Sequence, residues 1–252
     1  MMDTHAHGAE PAGAPPMPTP PPTPPTADTA PTTGPAYAHP AFWLTATAVT
    51  YALTHHVGVA MAWLGTIGPT RWADWIDLLT PYAVLLPAAA ALHTGGADRR
   101  AWALYLTGAL TYVEGHGIHL AANSVGNHTP NAAAHLWDEV VGHYIWYGGA
   151  ALVAASLAAA LAHHPAPRTA AGRVLTHTAA LLTGVTFTTN SLEGGTADMG
   201  IAVAAAFTAW GWSARGRLGG AWATAFACAL LLLAAYGLRQ GGFPQPSQLG
   251  WI

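Results

Sequence analysis

Two stretches of the chain combine histidines with carboxylates: Tyr112-Val-Glu-Gly-His-Gly-Ile-His119 and His135-Leu-Trp-Asp-Glu-Val-Val-Gly-His143. Imidazole nitrogens and carboxylate oxygens at i, i+3 or i+4 spacing on facing helices form the donor set from which Zn, Fe and Cu sites are built. At 100° per residue, His116, His119 and Asn123 share one helix face within roughly 60°. Tyr112 lies on the same stripe and Glu114 points nearly the opposite way. On the next helix, His135, Glu139 and His143 (i, i+4, i+8) share a face within roughly 80°, with Asp138 on its flank. This pattern predicts a divalent transition metal held by His116, His119, Glu139 and His143. His55, His56, Asn123 and His135 are further candidates for the same layer. Asp138 and Glu193 are candidates for the catalytic base or acid.

The elements that must carry these groups are apolar. Residues 101–110 run into the first stretch and residues 144–161 run out of the second. The 252-residue chain is 52% hydrophobic and 8% charged, whereas soluble domains carry about a quarter charged residues. Ionisable groups inside a membrane span cost roughly 2.5–3.5 kcal/mol each by insertion scales, so they tend to be paired and functional. The fold class expected is therefore all-α, a polytopic integral membrane bundle surrounded by lipid. Seven spans of about 20 residues are predicted: 42–64, 76–93, 101–123, 135–162, 174–192, 198–214 and 218–238. Pro81 and Pro87 predict a kink in the second. Residues 1–40 read as a disordered Pro-rich tail, residues 41–240 as the transmembrane domain, and 241–252 as a short C-terminal tail. No charged segment with a cleavage site precedes an apolar run, so no removable signal peptide is expected.

Arginines orient the bundle. Arg99 with Arg100, Arg168 with Arg173, and Arg215 with Arg217 occupy the second, fourth and sixth connections. The positive-inside rule places these in the cytoplasm, giving a cell-membrane protein with a cytoplasmic N-terminus and an external C-terminus. Both histidine stretches then fall in the outer half of the bundle, beside Asp74, Asp77, Glu193 and Asp198. Gly115, Gly117 and Gly142 would allow close helix approach there.

Several classes are excluded. A net charge of −3 leaves no nucleic-acid footprint. The chain has no lysine, hence no retinal Schiff base, and the single Cys228 excludes an internal disulfide. Seven spans with histidines and carboxylates resemble, in architecture, the ceramidase and progestin-receptor type of membrane hydrolase. Those families carry an HxxxH pair on their last helix. Here residues 218–238 contain no histidine and no charged side chain, so the resemblance stops at the architecture.

Three functions remain open at this level. One is a metal-dependent membrane hydrolase or oxidoreductase acting on a lipid or other amphiphile, with haem between two neutral histidines as a redox variant. Another is a proton or divalent-metal transporter using His and carboxylate relays. The last is an accessory or scaffolding protein, its Pro-rich tail docking a cytoplasmic partner and its polar cluster holding helices together.

Overall fold

The computed structural model describes residues 35–251. The expected Pro-rich tail lies outside the described residues as far as residue 34. From there the chain is mostly helical. Among the described residues, seven long helices carry the fold: α1 (Pro40–Thr54), α2 (Trp72–Thr94), α3 (Arg99–His128), α4 (Ala132–Leu161), α5 (Ala170–Glu193), α6 (Ala197–Ser213) and α7 (Gly219–Gln240). Three of them, α2, α4 and α7, are both long and apolar enough to cross a membrane.

Local chemistry sets the helix boundaries. Asp98 caps α3 by accepting from the Ala101 N–H at 2.8 Å, Asn131 does the same for Ala134 at the start of α4, and Thr169 for Gly172 at α5. Pro40 starts α1, where its missing N–H costs nothing. In α2 the helical pattern is interrupted at Leu78 and Leu79, just before Pro81, while Pro87 is carried inside the helix.

The first helix departs from the expected 42–64 span. It ends at Thr54, and the chain then turns through His55, His56 and a short helix Val57–Ala60. A small hairpin follows, β1 (Thr66–Ile67) against β2 (Thr70–Arg71), closed by a Gly68-Pro69 loop. Gly68 supplies the positive φ of 59° that such a two-residue turn needs. A Gly-bearing segment rich in turns wins here over the apolar composition that suggested a longer helix.

The connections after α2, α4 and α6 gather at one end of the bundle. The Arg217 guanidinium donates to the His163 carbonyl at 2.9 Å, and the Leu218 and Gly219 N–H groups donate to His164 and Ala162. Gly95, after α2, lies against Leu161 at the end of α4. At the opposite end the Ser124 hydroxyl of α3 donates to Asp74 at 3.1 Å, and Tyr144 of α4 donates to Asp198 of α6 at 2.9 Å.

The tightest pair is α3 with α4. Gly108 and Gly115 on α3, seven residues apart, face Val153 and Trp146 on α4. Gly142 and Gly149 on α4, also seven apart, face His119 and Tyr112 on α3. A side chain at any of the four would fall onto the partner's backbone, so the small residues let the helices meet almost backbone to backbone. Gly117, by contrast, faces open space.

Candidate functional site

Backbone geometry in α4 brings Asp138 to the histidines. Residues Leu136–Gly142 wind as a π-helix, whose i→i+5 closure brings residues five apart onto one face. Asp138 and His143 are five apart. The ligating atoms of His119, Asp138 and His143 accordingly all lie within 4.8 Å of one another. His119 Nδ1 is 2.6 Å from Asp138 Oδ1, with side chains 18% and 13% exposed.

That short contact lacks hydrogen-bond alignment. Both atoms are buried and without a hydrogen-bond partner among the described residues, as are His116 Nε2 and Trp146 Nε1. Buried polar atoms left in this state cost about 1–3 kcal/mol each. Two electron-rich atoms in such proximity require a proton or a cation beside them. His143 is set up differently: its Nδ1 is 3.1 Å from the backbone carbonyl of Glu139. A proton on Nδ1 would donate to that carbonyl and leave Nε2 with its lone pair free, the tautomer that metal-ligating histidines usually adopt.

The donor chemistry fits a metal. Two imidazoles and one carboxylate form the set used by zinc hydrolases and by non-haem Fe(II) enzymes. Bonds of about 2.0–2.2 Å put tetrahedral ligands roughly 3.3 Å apart, so ångström-scale side-chain adjustment would close the group around an ion. Three protein ligands leave a coordination position for something else, the pattern of catalytic rather than structural zinc.

The other candidate residues are distributed around this group. His116 is almost wholly buried; its Nε2 is 3.5 Å from Asp77 Oδ1, and its ring centroid is 6.3 Å from that of His119. Asp77 also accepts from the Thr80 hydroxyl. Glu139 places its carboxylate 3.8 Å from His143 Nδ1 and is 31% exposed. The Gln245 side chain holds it there, donating to Glu139 Oε2 at 2.8 Å and to the Glu193 carbonyl at 2.6 Å. Glu193 accepts from the Ser247 N–H at 3.1 Å. Residues after α7 thus cover the outer edge of the group.

His55 joins from α1's end: its Nε2 is 2.8 Å from the Tyr112 hydroxyl, and its ring stacks on Trp146 at 5.4 Å. The remaining three stand apart. His56 is exposed and meets Thr186 at 3.3 Å, Asn123 accepts from Asn127 one turn along its own helix, and His135 is exposed.

Trp146 and Asp77 are the residues that helical spacing alone did not single out. Trp146 is 6% exposed, and its ring lies 4.6 Å from His116, 5.2 Å from His119 and 5.8 Å from His143, with His55 on the same indole. Its position, three residues after His143 on the same stripe, was the available signal. Asp77 precedes the apolar part of α2, where a carboxylate reads as part of a connection.

Glu193, one residue past the 174–192 apolar stretch, is electrostatically unusual. Partial burial pushes its carboxyl above the ordinary value of 4.5; the Ser247 hydrogen bonds pull it back and the Glu139 charge adds to the rise.

Beneath the Tyr51 and Tyr112 level lies a partly open chamber of about 130 Å³, lined by all seven helices.

No protein-family model, no curated protein and no solved structure matches the chain. The site therefore stands on its own geometry.

Proposed function

We propose that the protein is a seven-span integral membrane protein with a metal centre in the outer half of its bundle, and that it works as a metal-dependent enzyme on a lipid or other amphiphile. The observation that carries this reading is the convergence of His119, Asp138 and His143, with buried ligand atoms that have no hydrogen-bond partner. A divalent Zn or Fe ion held there would supply Lewis acidity with a position left for substrate or water. Glu139, half-buried beside His143, would take or return a proton, with Glu193 one step further out. His116 with Asp77 and the face of Trp146 hold the group from behind and exclude water. The N-terminus is cytoplasmic, and the Pro-rich sequence within residues 1–40 would serve a cytoplasmic partner.

The Tyr112–His55 and His116–Asp77 pairs favour a second reading, a proton relay across the layer without metal. The chamber below that layer is almost entirely apolar, which weighs against a polar path continuing to the arginine-rich end.

Elemental analysis of protein purified without chelator, with a visible absorption spectrum, separates the readings. Stoichiometric zinc, or iron, is expected. Protein that binds none tightly when supplied with Zn, Fe or Cu would remove the enzyme reading and leave the relay.

A further inference from the structure

The chamber in the middle of the bundle has a shape and a chemistry of its own. Along α1 it extends from Leu44 to Tyr51 and along α4 from Ala150 to Leu157. At a rise of 1.5 Å per residue each run is about 10 Å, so about 130 Å³ is drawn out along the bundle axis rather than rounded.

Its lining hydroxyls are already engaged. Thr45 and Thr176 pair with each other at 3.2 Å, Thr47 donates to the Trp43 carbonyl, and Thr183 to the Ala179 carbonyl. Tyr112 meets His55, and the Tyr51 hydroxyl accepts from Asn190. What these residues present inward is methyl and ring surface. Water needs two to four polar partners to settle in a cavity, and an apolar void of about 150 Å³ stays dry and takes up benzene or xenon instead. Interiors are otherwise packed with few voids larger than a water molecule.

We infer that this chamber is a binding site for one hydrocarbon chain of a membrane amphiphile. Its volume of about 130 Å³ holds one chain segment of about benzene's bulk. Tyr51 and Tyr112 line the slot, and Tyr112 is tied through His55 and Trp146 to the histidine group. A chain seated below that layer identifies a single-chain lipid as the amphiphile, a step that rests on the enzyme reading; occupation of the chamber itself does not.

The test uses the full-length protein in lipid nanodiscs, with a photoactivatable dodecanoic acid carrying a diazirine near the end of its chain. After illumination, labelled peptides are mapped by mass spectrometry and metal content is measured on the same samples. Label is expected on chamber residues of α4, at Ala150 or Ala154. Ala154→Phe, which fills the slot, should lower it by about tenfold or more, the equivalent of about 1.4 kcal/mol of binding. Ala150→Leu provides a milder filling variant if Ala154→Phe does not fold. His119→Ala should keep the label.

Label confined to outward-facing residues such as Leu86, Leu106 and Leu231, and unchanged in the filling variants, would overturn the inference. Metal-bound wild-type protein without chamber label refutes the chamber alone. Chamber label on protein that never binds metal refutes the enzyme reading alone.

Discussion

The two ends of the bundle use charge in opposite ways. At the end carrying Arg99, Arg100, Arg168, Arg173, Arg215 and Arg217, these side chains are all exposed. Where they form hydrogen bonds, the partners are backbone carbonyls: Arg173 to Arg168, Arg215 to Trp212, Arg217 to His163. At the other end, buried or half-buried side chains pair across elements far apart in sequence: His119 with Asp138, His116 with Asp77, Asp74 with Ser124, Glu139 with Gln245. Exposed guanidinium groups can tie down loops and orient the chain without tight geometry. Buried ionisable groups are stable only when partners converge on them. On the proposed reading, the first arrangement orients the chain and the second holds the metal.

The largest test of that division is all-or-none. If the ends lie on opposite faces of a membrane, reporter fusions at Pro130 and Arg168 should report opposite sides. The same side for both would place the arginines and the histidine group in one compartment and collapse the comparison.

Histidines from the two ends should then behave differently. His119→Ala and His143→Ala each remove a proposed ligand and should lower metal affinity by more than the 10–100-fold typical of losing a residue that only supports a ligand. His164→Ala, at the arginine-rich end, should leave metal content unchanged. Equal losses for all three, measured by elemental analysis after equilibrium dialysis, would mean that the contrast lies in folding rather than in the site.

Much of this arrangement was legible in the sequence, for identifiable reasons. Helical periodicity put His116 and His119 on one face of α3, and a short loop made α4 its neighbour; the structure brings these stripes together. Periodicity also favoured Glu139 over Asp138 as the carboxylate nearest His143. The π-helical turn over Leu136–Gly142 replaces the 100° step on which that reading depends and adds Asp138 to the histidine group, while the Glu139 carboxylate stays 3.8 Å from His143 Nδ1. Trp146 was hidden by its own chemistry, since an aromatic in an apolar helix reads as core. The end of α1 at Thr54 was hidden by composition, because residues 57–64 are apolar yet turn-forming.

A smaller effect separates two glycines of one helix. Gly115 lies against the Trp146 backbone and Gly117 faces open space. Gly115→Ala should force α3 and α4 apart and cost about 1–3 kcal/mol, the usual range for overpacking. Gly117→Ala should be neutral or stabilising by up to about 1 kcal/mol, from helix propensity. Thermal unfolding in detergent reads both. If the two substitutions shift the midpoint equally, the close approach that brings His119 beside Asp138 is not what holds the two helices together.

The smallest expected effect concerns the edge of the site, where Glu193 and Glu139 lie under the segment after α7. The Glu193 carboxyl titrates above its ordinary 4.5 in the folded protein. The folded state therefore holds this proton more tightly than the unfolded chain does. Between 4.5 and the raised value, stability falls as pH rises; above that window the loss is complete and stays constant. Glu193→Gln removes the titration and should flatten the slope of unfolding midpoint against pH just above 4.5. The change should be modest, because the group is partly exposed and solvent screens it. A slope that steepens in the Gln variant would mean that the Ser247 hydrogen bonds to the ionised carboxylate outweigh burial and Glu139. In that case the covering segment would be fastened most firmly by the charged form of Glu193, and a fall in pH would loosen the outer edge of the site.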